Sequence, residues 1–459
     1  MKTVVTAQQM RDAERAVWDA DPDVDLMTRA AAGVARVADE MAPEGPVLVV
    51  VGPGNNGGDG LFAAATLAES REVLLWLAAG RAHDEGLAAA RSAGCREVGD
   101  PASARARLAD ASLVIDAFTG LGARPGLPPD VATFAAACEA WQVPVLAVDQ
   151  PSGLGTDGGP VGHSFNATVT ATFAARKPCH VVEPAASRCG DVVVQDIGVP
   201  VPATDLRILE ESDLANWWPT PDAASDKYSR GVVLLDTGSE RYAGAALLGI
   251  SGALHAGAGM VRYAGGAPSG LVLGRFPSVV LGEGRAQAAV VGSGWGEPDE
   301  ARMARAVELG LPLVVDADAL GVLPDGGMEG WLLTPHAGEL ARLLGVGRDE
   351  VEADPLGAAR EAARRHGATV LLKGAAQYVA EPSGRVTVAV RGPNWTAQAG
   401  SGDVLAGICG TLLAAGLPAW KAAAMGASVQ ALAAQRHPGP YPPDRLTEFL
   451  PTVVANLDA

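Results

Sequence analysis

The chain has 459 residues, with 53 acidic against 35 basic side chains, a formal charge of −18, and a 48% hydrophobic, 19% charged composition typical of a folded protein rather than a disordered one. At roughly 100–200 residues per domain, two to four domains are expected, and so acidic a surface argues against nucleic-acid or membrane-surface binding. Five scattered cysteines (Cys95, Cys138, Cys179, Cys189, Cys409) form no CxxC pair and seven histidines form no HExxH pair, which argues against a disulfide framework, a thiolate zinc centre and a histidine-held metal. Reduced thiols, and an opening stretch MKTVVTAQQMRDAERA with no apolar signal core, point to a cytoplasmic protein.

In chain order, short aliphatic runs alternate with Ala-rich amphipathic segments. Val47–Val51, Val73–Leu77, Leu113–Asp116 and Val145–Asp149 are predicted strands, with helices near Asp59–Ala68, Asp84–Arg91 and Pro129–Trp141 between them. That is the pattern of a parallel sheet covered on both faces. A Pro- and Asp-rich seam between about Val199 and Ala224 precedes a second alternation. There Val232–Asp236, Ala288–Val291, Leu313–Asp316, Trp331–Thr334 and Thr369–Leu372 are predicted strands. Predicted helices are Ala243–Ala256, Pro298–Glu308, Pro355–His366, Ser401–Ala415 and Ala419–Gln435. The run Ala243–Val261 contains no Asp, Glu, Lys or Arg and is long enough to cross a bilayer. Its Ala and Gly content, with His255 inside and Arg262 after it, indicates a buried helix instead. Two α/β domains of similar size are expected, residues 1–208 and 209–459.

The first strand runs into Gly52-Pro-Gly-Asn-Asn-Gly-Gly-Asp-Gly60, which contains GxGxxG at a strand-to-helix position. The acidic residue that should close the next strand for a ribose is missing; Ala78-Ala79-Gly80-Arg81 stands there. Asn55, Asn56 and Asp59 add oxygens that suit a hard cation or a ligand rich in hydroxyl and amide groups. The strand ends Asp116-Ala-Phe-Thr-Gly-Leu-Gly122 and Asp149-Gln-Pro-Ser-Gly-Leu154 face the same sheet edge, so Asp116, Asp149 and Ser152 are expected to converge on that loop. A serine hydrolase is not supported, because GxSxG is absent, nor is a P-loop, because no lysine follows the glycines.

GPGNNGGDG, DAFTGLG and DQPSGL, in this order, resemble the NAD(P)HX epimerase domain, and KPCHVVEP…CGDVVVQDIGVP is similar to that domain's closing strand. The resemblance implies a Rossmann-like three-layer sandwich. It implies that Asn55, Asn56, Gly57, Gly58 and Asp59, with Gly120, Leu121, Gly122, Ala123, Arg124, Pro125 and Gly126, hold a hydrated nicotinamide nucleotide. It further implies K+ at Asn56, Asp116 and Ser152, and a substrate-contacting, proton-transferring Asp149. The family usually has Val or Ile at the position of Gln150 and often Gly at that of Cys179.

In the second half, Ala399-Gly-Ser-Gly-Asp403-Val-Leu-Ala-Gly407 opens a small-residue helix. Glycines let backbone approach a phosphate, and the helix start offers free N–H groups and partial positive charge. Asp403 in the first turn can take a proton from a hydroxyl as a phosphoryl acceptor is activated. Lys373-Gly374 ends one strand, Thr334-Pro-His336 another, and Gly292-Ser-Gly294-Trp-Gly296 follows a third. Four such loops suggest a nucleotide site.

The strings DKYSRG, AGAALLGISGALHAGAGMV, VGSGWG, VVDADAL, LLTPHAGELARLLG, LLKG and AGSGDVLAG together resemble the ADP-dependent NAD(P)HX dehydratase, a ribokinase-like family. That implies substrate contacts at Ala245, Gly294, His336 and Asp403, with Asp403 catalytic. It implies adenine-nucleotide contacts at Lys373, Gly374, Ala375, Ala376, Gln377 and Gly402. A frequent family form has Thr at the position of Ser401.

The two resemblances imply a bifunctional metabolite-repair enzyme, isomerase and lyase in one chain. It would act on NADHX and NADPHX with K+, with ADP as co-substrate and with Mg2+ neutralising its diphosphate. A homo-oligomer is expected. The alternatives are a ribokinase-like small-molecule kinase fused to a nucleotide-binding module, and a binding protein without turnover.

Overall fold

The structure, a computed structural model, describes residues 1–122 and 124–457. The chain divides into two compact units, Thr3–Thr204, and Met1–Lys2 together with the residues from Asp205 onward. Strand β1 (Lys2–Thr3) is the outermost strand of the sheet that holds β9 to β18, described below.

The first unit is built on β2 (Val47–Val51), β3 (Val73–Leu77), β4 (Arg96–Val98), β5 (Leu113–Ala117), β6 (Val145–Val148), β7 (Val169–Phe173) and β8 (Asp191–Gln195). They form one parallel sheet in the order β4-β3-β2-β5-β6-β7-β8. Because successive side chains leave opposite faces of a strand, β2 feeds two cores. Val47, Val49 and Val51 pack with helices Leu26–Met41 and Asn55–Leu67, while Leu48 and Val50 pack with Pro101–Ala106 and Pro129–Ala140. Both faces are covered, which gives the expected Rossmann-like three-layer sandwich. The strand order reverses between β2 and β5, and ligands of open α/β sheets bind beyond the strand ends at that point.

Besides β4 and β7, which were not among the predicted strands, three features differ from the sequence reading. Helices Ala7–Ala20 and Leu26–Met41 precede the first aliphatic run. The helix after β2 begins at Asn55, not near Asp59, so the second half of the glycine-rich segment is helical. A side chain at Gly57 would stand 2.1 Å from the Gly52 carbonyl oxygen, and one at Gly60 2.3 Å from the Ala117 methyl group. These glycines therefore let the helix lie close against the sheet. The third difference is the unit division, which falls at 204/205 rather than 208/209, because Leu206–Ile208 pairs with Val386–Val388.

The second unit adds β9 (Leu206–Ile208), β10 (Val232–Asp236), β11 (Met260–Tyr263), β12 (Val280–Leu281), β13 (Ala288–Val291), β14 (Leu313–Val315), β15 (Leu332–Leu333), β16 (Thr369–Leu372), β17 (Tyr378–Ala380) and β18 (Val386–Val388). The sheet order is β1-β9-β18-β17-β16-β15-β14-β13-β10-β11-β12. Strands β10 to β16 run parallel, β17 is antiparallel to both its neighbours, and β9 is parallel to β18. The charge-free run forms the buried helix Ala243–His255 and then β11. A side chain at Gly252 would meet the Val404 carbonyl at 2.2 Å, so this helix lies backbone-to-backbone against Ser401–Ala414. Among the described residues no helix is long and apolar enough to cross a membrane.

The division at 204/205 has a measurable consequence. Leu206, Leu209 and Leu214 are all buried in the second unit. A fragment starting at Asp205 should therefore be more stable than one starting at Pro221, by on the order of 5 kcal/mol at about 1.5–3 kcal/mol per buried leucine. Urea unfolding of the two fragments checks this; equal midpoints would contradict it.

Candidate active sites

In the first unit the C-terminal ends of β2, β5 and β6 open on a cavity of about 630 Å³. Of the residues expected there, Asn55, Asn56, Asp59, Gly120, Leu121, Gly122 and Asp149 line it. Gly57 and Gly58 are buried in helix packing, and Arg124, Pro125 and Gly126 are exposed and outside the lining. Ala123 lies outside the described residues.

Asp149 follows β6 at φ +64°, a left-handed conformation unusual for a residue with a side chain. Its N–H donates to the Ala171 carbonyl at 2.7 Å, and His180 Nε2 donates to its carbonyl at 2.9 Å. His180 Nδ1 accepts from the Lys177 N–H at 3.0 Å, which fixes the ring tautomer. The Lys177 ammonium, buried beside it, donates to Asp149 Oδ1 (2.7 Å), Thr172 Oγ1 (2.8 Å) and the Phe173 carbonyl (3.1 Å). Burial works to raise the Asp149 pKa, but the Lys177 charge and hydrogen bond outweigh it and hold the carboxyl below its ordinary value. Asp59 and Glu14 also line the cavity. Burial first, and then the Asp149 charge, push both of their pKa values up.

Beneath the cavity Asp116 is fully buried. Ser152 donates to it twice, from Oγ at 2.6 Å and from N–H at 2.7 Å, and the Phe118 N–H adds a third bond at 3.3 Å. Burial pushes the Asp116 carboxyl up to about 7 against these bonds. The Asn56 amide lies against Gly120, where a side chain would meet its Oδ1 at 2.4 Å, and its Nδ2 is buried without a partner among the described residues. The two unusual family positions touch each other, Cys179 Sγ lying 3.9 Å from Gln150 Oε1.

In the second unit the corresponding edge is organised by Asp316, at the end of β14. It accepts from Lys373 Nζ (2.6 Å), Ser293 Oγ (2.8 Å) and Thr334 Oγ1 (2.8 Å), which ties the ends of β13, β15 and β16 to one carboxylate. Burial opposes its ionisation, yet Lys373 holds its pKa below the ordinary value. A side chain at Gly402 would stand 3.3 Å from Lys373 Nζ, so the ammonium lies against the first turn of Ser401–Ala414. That helix start has no side-chain cap; the Ser401 N–H donates to the Gln398 carbonyl at 3.2 Å, and the next N–H groups, of Gly402 and Asp403, point out of the helix start. Asp403, in the same turn, is pushed up to about 7 by burial and then by Asp316, with Lys373 opposing.

The other expected residues surround this centre. A side chain at Gly294 (φ +69°) would meet the Ala245 methyl at 2.5 Å, so these two form one wall, joined to Asp316 through Ser293. His336 pairs with Lys373 through the backbone and caps Ala337–Leu344, its Nδ1 accepting from the Gly338 and Glu339 N–H groups at 3.0 and 3.3 Å. Gly374 and Ala375 are exposed and Ala376 is buried, while Gln377 Oε1 is buried without a partner among the described residues. The sequence reading assigned no role to Glu14, Thr172, Lys177, His180, Ser293, Thr334 or Asp316. Lys177 and Asp316 stand inside the quoted strings, but only the fold shows what they bond.

These features describe a chain of two α/β units, each with a polar centre at the C-terminal edge of a parallel sheet. A family model described as NAD(P)H-hydrate dehydratase matches residues 232–449, and one described as YjeF-related protein N-terminus matches residues 23–179. The chain is 42% identical to the bifunctional NAD(P)H-hydrate repair enzyme of Mycobacterium leprae, over 96% of each chain. It is 41% identical to the enzyme of the same name from Mycobacterium tuberculosis, over 92% of each. The ADP/ATP-dependent NAD(P)H-hydrate dehydratase of Bacillus subtilis, co-crystallised with ATP/Mg2+, is 26% identical with a TM-score of 0.51; it covers 56% of this chain and the match spans 100% of that one. The chain belongs to the bifunctional NAD(P)H-hydrate repair enzyme family.

Replacing Lys177 with Met would leave the Asp149 carboxylate buried without its cation, costing the first unit about 3–5 kcal/mol at neutral pH. In the parent, Asp149 has a lowered pKa, so its stabilisation is present above the unfolded pKa of about 4 and is lost only as pH falls through the lower folded value. In Lys177→Met the carboxyl pKa is raised instead, so the deficit should shrink as pH falls towards about 4.5. Urea midpoints for the first unit at the two pH values test this, and an equal deficit at both would contradict it.

Proposed function

We propose that the first unit interconverts the R and S epimers of NADHX and NADPHX at C6. The second unit removes water from the S epimer with ADP, giving NAD(P)H, AMP and phosphate. The observation that carries this reading is the alignment of a relative named bifunctional NAD(P)H-hydrate repair enzyme along 96% of both chains, which includes both units.

In the first unit C6 carries the hydroxyl and adjoins the ring nitrogen. The hydroxyl can leave as water, with electron push from that nitrogen and a proton from Asp59, whose raised pKa lets it hold one; water then adds to the planar C6 from the other face. Asp149, kept ionised by Lys177 and aimed by its strained backbone, takes the proton of the returning water. In the second unit hydroxide is a poor leaving group. Asp403 takes the hydroxyl proton as the oxygen attacks the terminal phosphorus of ADP; AMP departs, and the substrate then loses phosphate. Lys373, the Lys373–Gln377 turn and the free N–H groups beside Gly402 hold the diphosphate, with Mg2+ as its counter-ion. Ala245, Gly294 and His336 border the nicotinamide end. Self-association and a cytoplasmic location belong to the same reading, as does the lack of nucleic-acid or membrane partners, which the −18 charge supports.

Asn56, Asp116 and Ser152 suit a monovalent cation, since they offer one carboxylate and neutral oxygens. K+ there would offset the buried Asp116 charge and join three loops into one pocket.

Asp403→Asn should lower dehydration by on the order of 10²–10⁴ while leaving epimerisation intact, because the amide keeps the shape but cannot take the proton. In the parent, only the deprotonated form works as a base and the carboxyl titrates at about 7, so dehydration should fall roughly tenfold per pH unit below that value. A variant retaining about a third or more of parental turnover would remove Asp403 from the chemistry.

Asp116→Ala should lose the cation and weaken substrate binding in the first unit, leaving ADP-dependent turnover of pure S substrate unchanged. Crystals of the parent grown with rubidium should give anomalous density at the triad. A water there that does not exchange would contradict the ion site.

A further inference from the structure

We propose that the face of helix Ala7–Ala20 carrying Arg11, Arg15 and Trp18 is the subsite for the diphosphate and distal base of the first unit's dinucleotide. This rests on the epimerase reading of the cavity and extends it to how the rest of the substrate is held. The helix precedes the first family match, which begins at residue 23.

Residues 11, 14, 15 and 18 are spaced i, i+3, i+4, i+7 and share one helix face. All four line the same cavity as Asp149. From Arg11 to Trp18 the helix advances about 10 Å at 1.5 Å per residue. Along it the face passes from the half-buried Arg11 to the exposed Arg15 and Trp18.

The charges fix the substrate's direction. The buried end of the cavity holds Glu14, Asp59 and Asp149, and among the described residues the one ammonium there, Lys177, already makes three hydrogen bonds. A diphosphate at that end would face carboxylates with no free cation. At the rim, Arg11 has its guanidinium against Gly122, bonded to Gln8 at 3.1 Å. Arg15, 66% exposed, has among the described residues only a loose pair with Asp12 at 3.7 Å. Two guanidiniums at i and i+4 suit two adjoining phosphates. The nicotinamide ring therefore enters first and the diphosphate stays at the rim.

Beyond the arginines lies Trp18, 41% exposed. Among the described residues it has no aromatic neighbour in stacking range, although its ring borders the cavity. An indole at the mouth of a dinucleotide cavity offers the distal base a stacking surface.

The test measures epimerisation by the full chain without ADP, using hydrated NADH and hydrated reduced nicotinamide mononucleotide, which lacks adenosine. Trp18→Ala should raise KM for the dinucleotide by on the order of tenfold, leaving kcat and the mononucleotide KM unchanged. Trp18→Phe, which still stacks, should stay within about threefold of the parent. An unchanged dinucleotide KM in Trp18→Ala, or an equal rise for both substrates, would overturn the subsite. If the parent epimerises neither substrate, the reading of the cavity fails and the subsite falls with it.

Discussion

A carboxylate at the end of a buried parallel strand is costly unless a cation reaches it, and in each unit a lysine does. Lys177 lies 2.7 Å from Asp149, and Lys373 lies 2.6 Å from Asp316. Both pairs stand where strand ends converge, so each fixes loop positions as well as charge. In the first unit the pair leaves Asp149 ionised and facing the cavity. In the second the ionised partner is Asp316, whose charge helps lift Asp403 into the range where a base can take and release a proton near neutrality. One electrostatic device thus recurs in both units, holding the paired carboxylate ionised in the first and raising a neighbouring carboxyl in the second.

Small residues make this arrangement possible. Gly57 and Gly60 bring a helix against the sheet edge in the first unit, and Gly252 and Gly407 bring two helices together in the second. The low aromatic content, 5%, follows from cores built by close backbone approach rather than by large rings.

The central strands were legible because parallel strands covered on both faces read as unbroken aliphatic runs, as in VLVVV for β2. The loops beyond them were legible because glycine and asparagine cluster where backbone must turn sharply. Strands β9, β17 and β18 escaped notice because three residues carry too little periodicity. Helix Ala7–Ala20 buries only Ala7 and Met10, so its apolar signal is faint; the Thr6–Gln9 capping box was the clue available. Lys177 and Asp316 were on the page, but what they bond depends on strands far apart in sequence. Gly57, Gly58 and Arg124–Gly126 show the opposite: a motif marks a region, and only the fold separates the residues that line a cavity from those that pack behind it.

Placing both units in one chain suits a substrate that exists as two epimers, since an enzyme confined to the S form would strand the rest. The most direct test supplies the full chain with a known mixture of R and S hydrated NADH, present in excess of enzyme. The recovered near-ultraviolet absorbance of the dihydronicotinamide ring is then followed with and without ADP. The account requires no recovery without ADP, and with it a final yield that exceeds the S fraction and approaches the whole pool. A yield that stops at the S fraction, or proceeds without ADP, would contradict it.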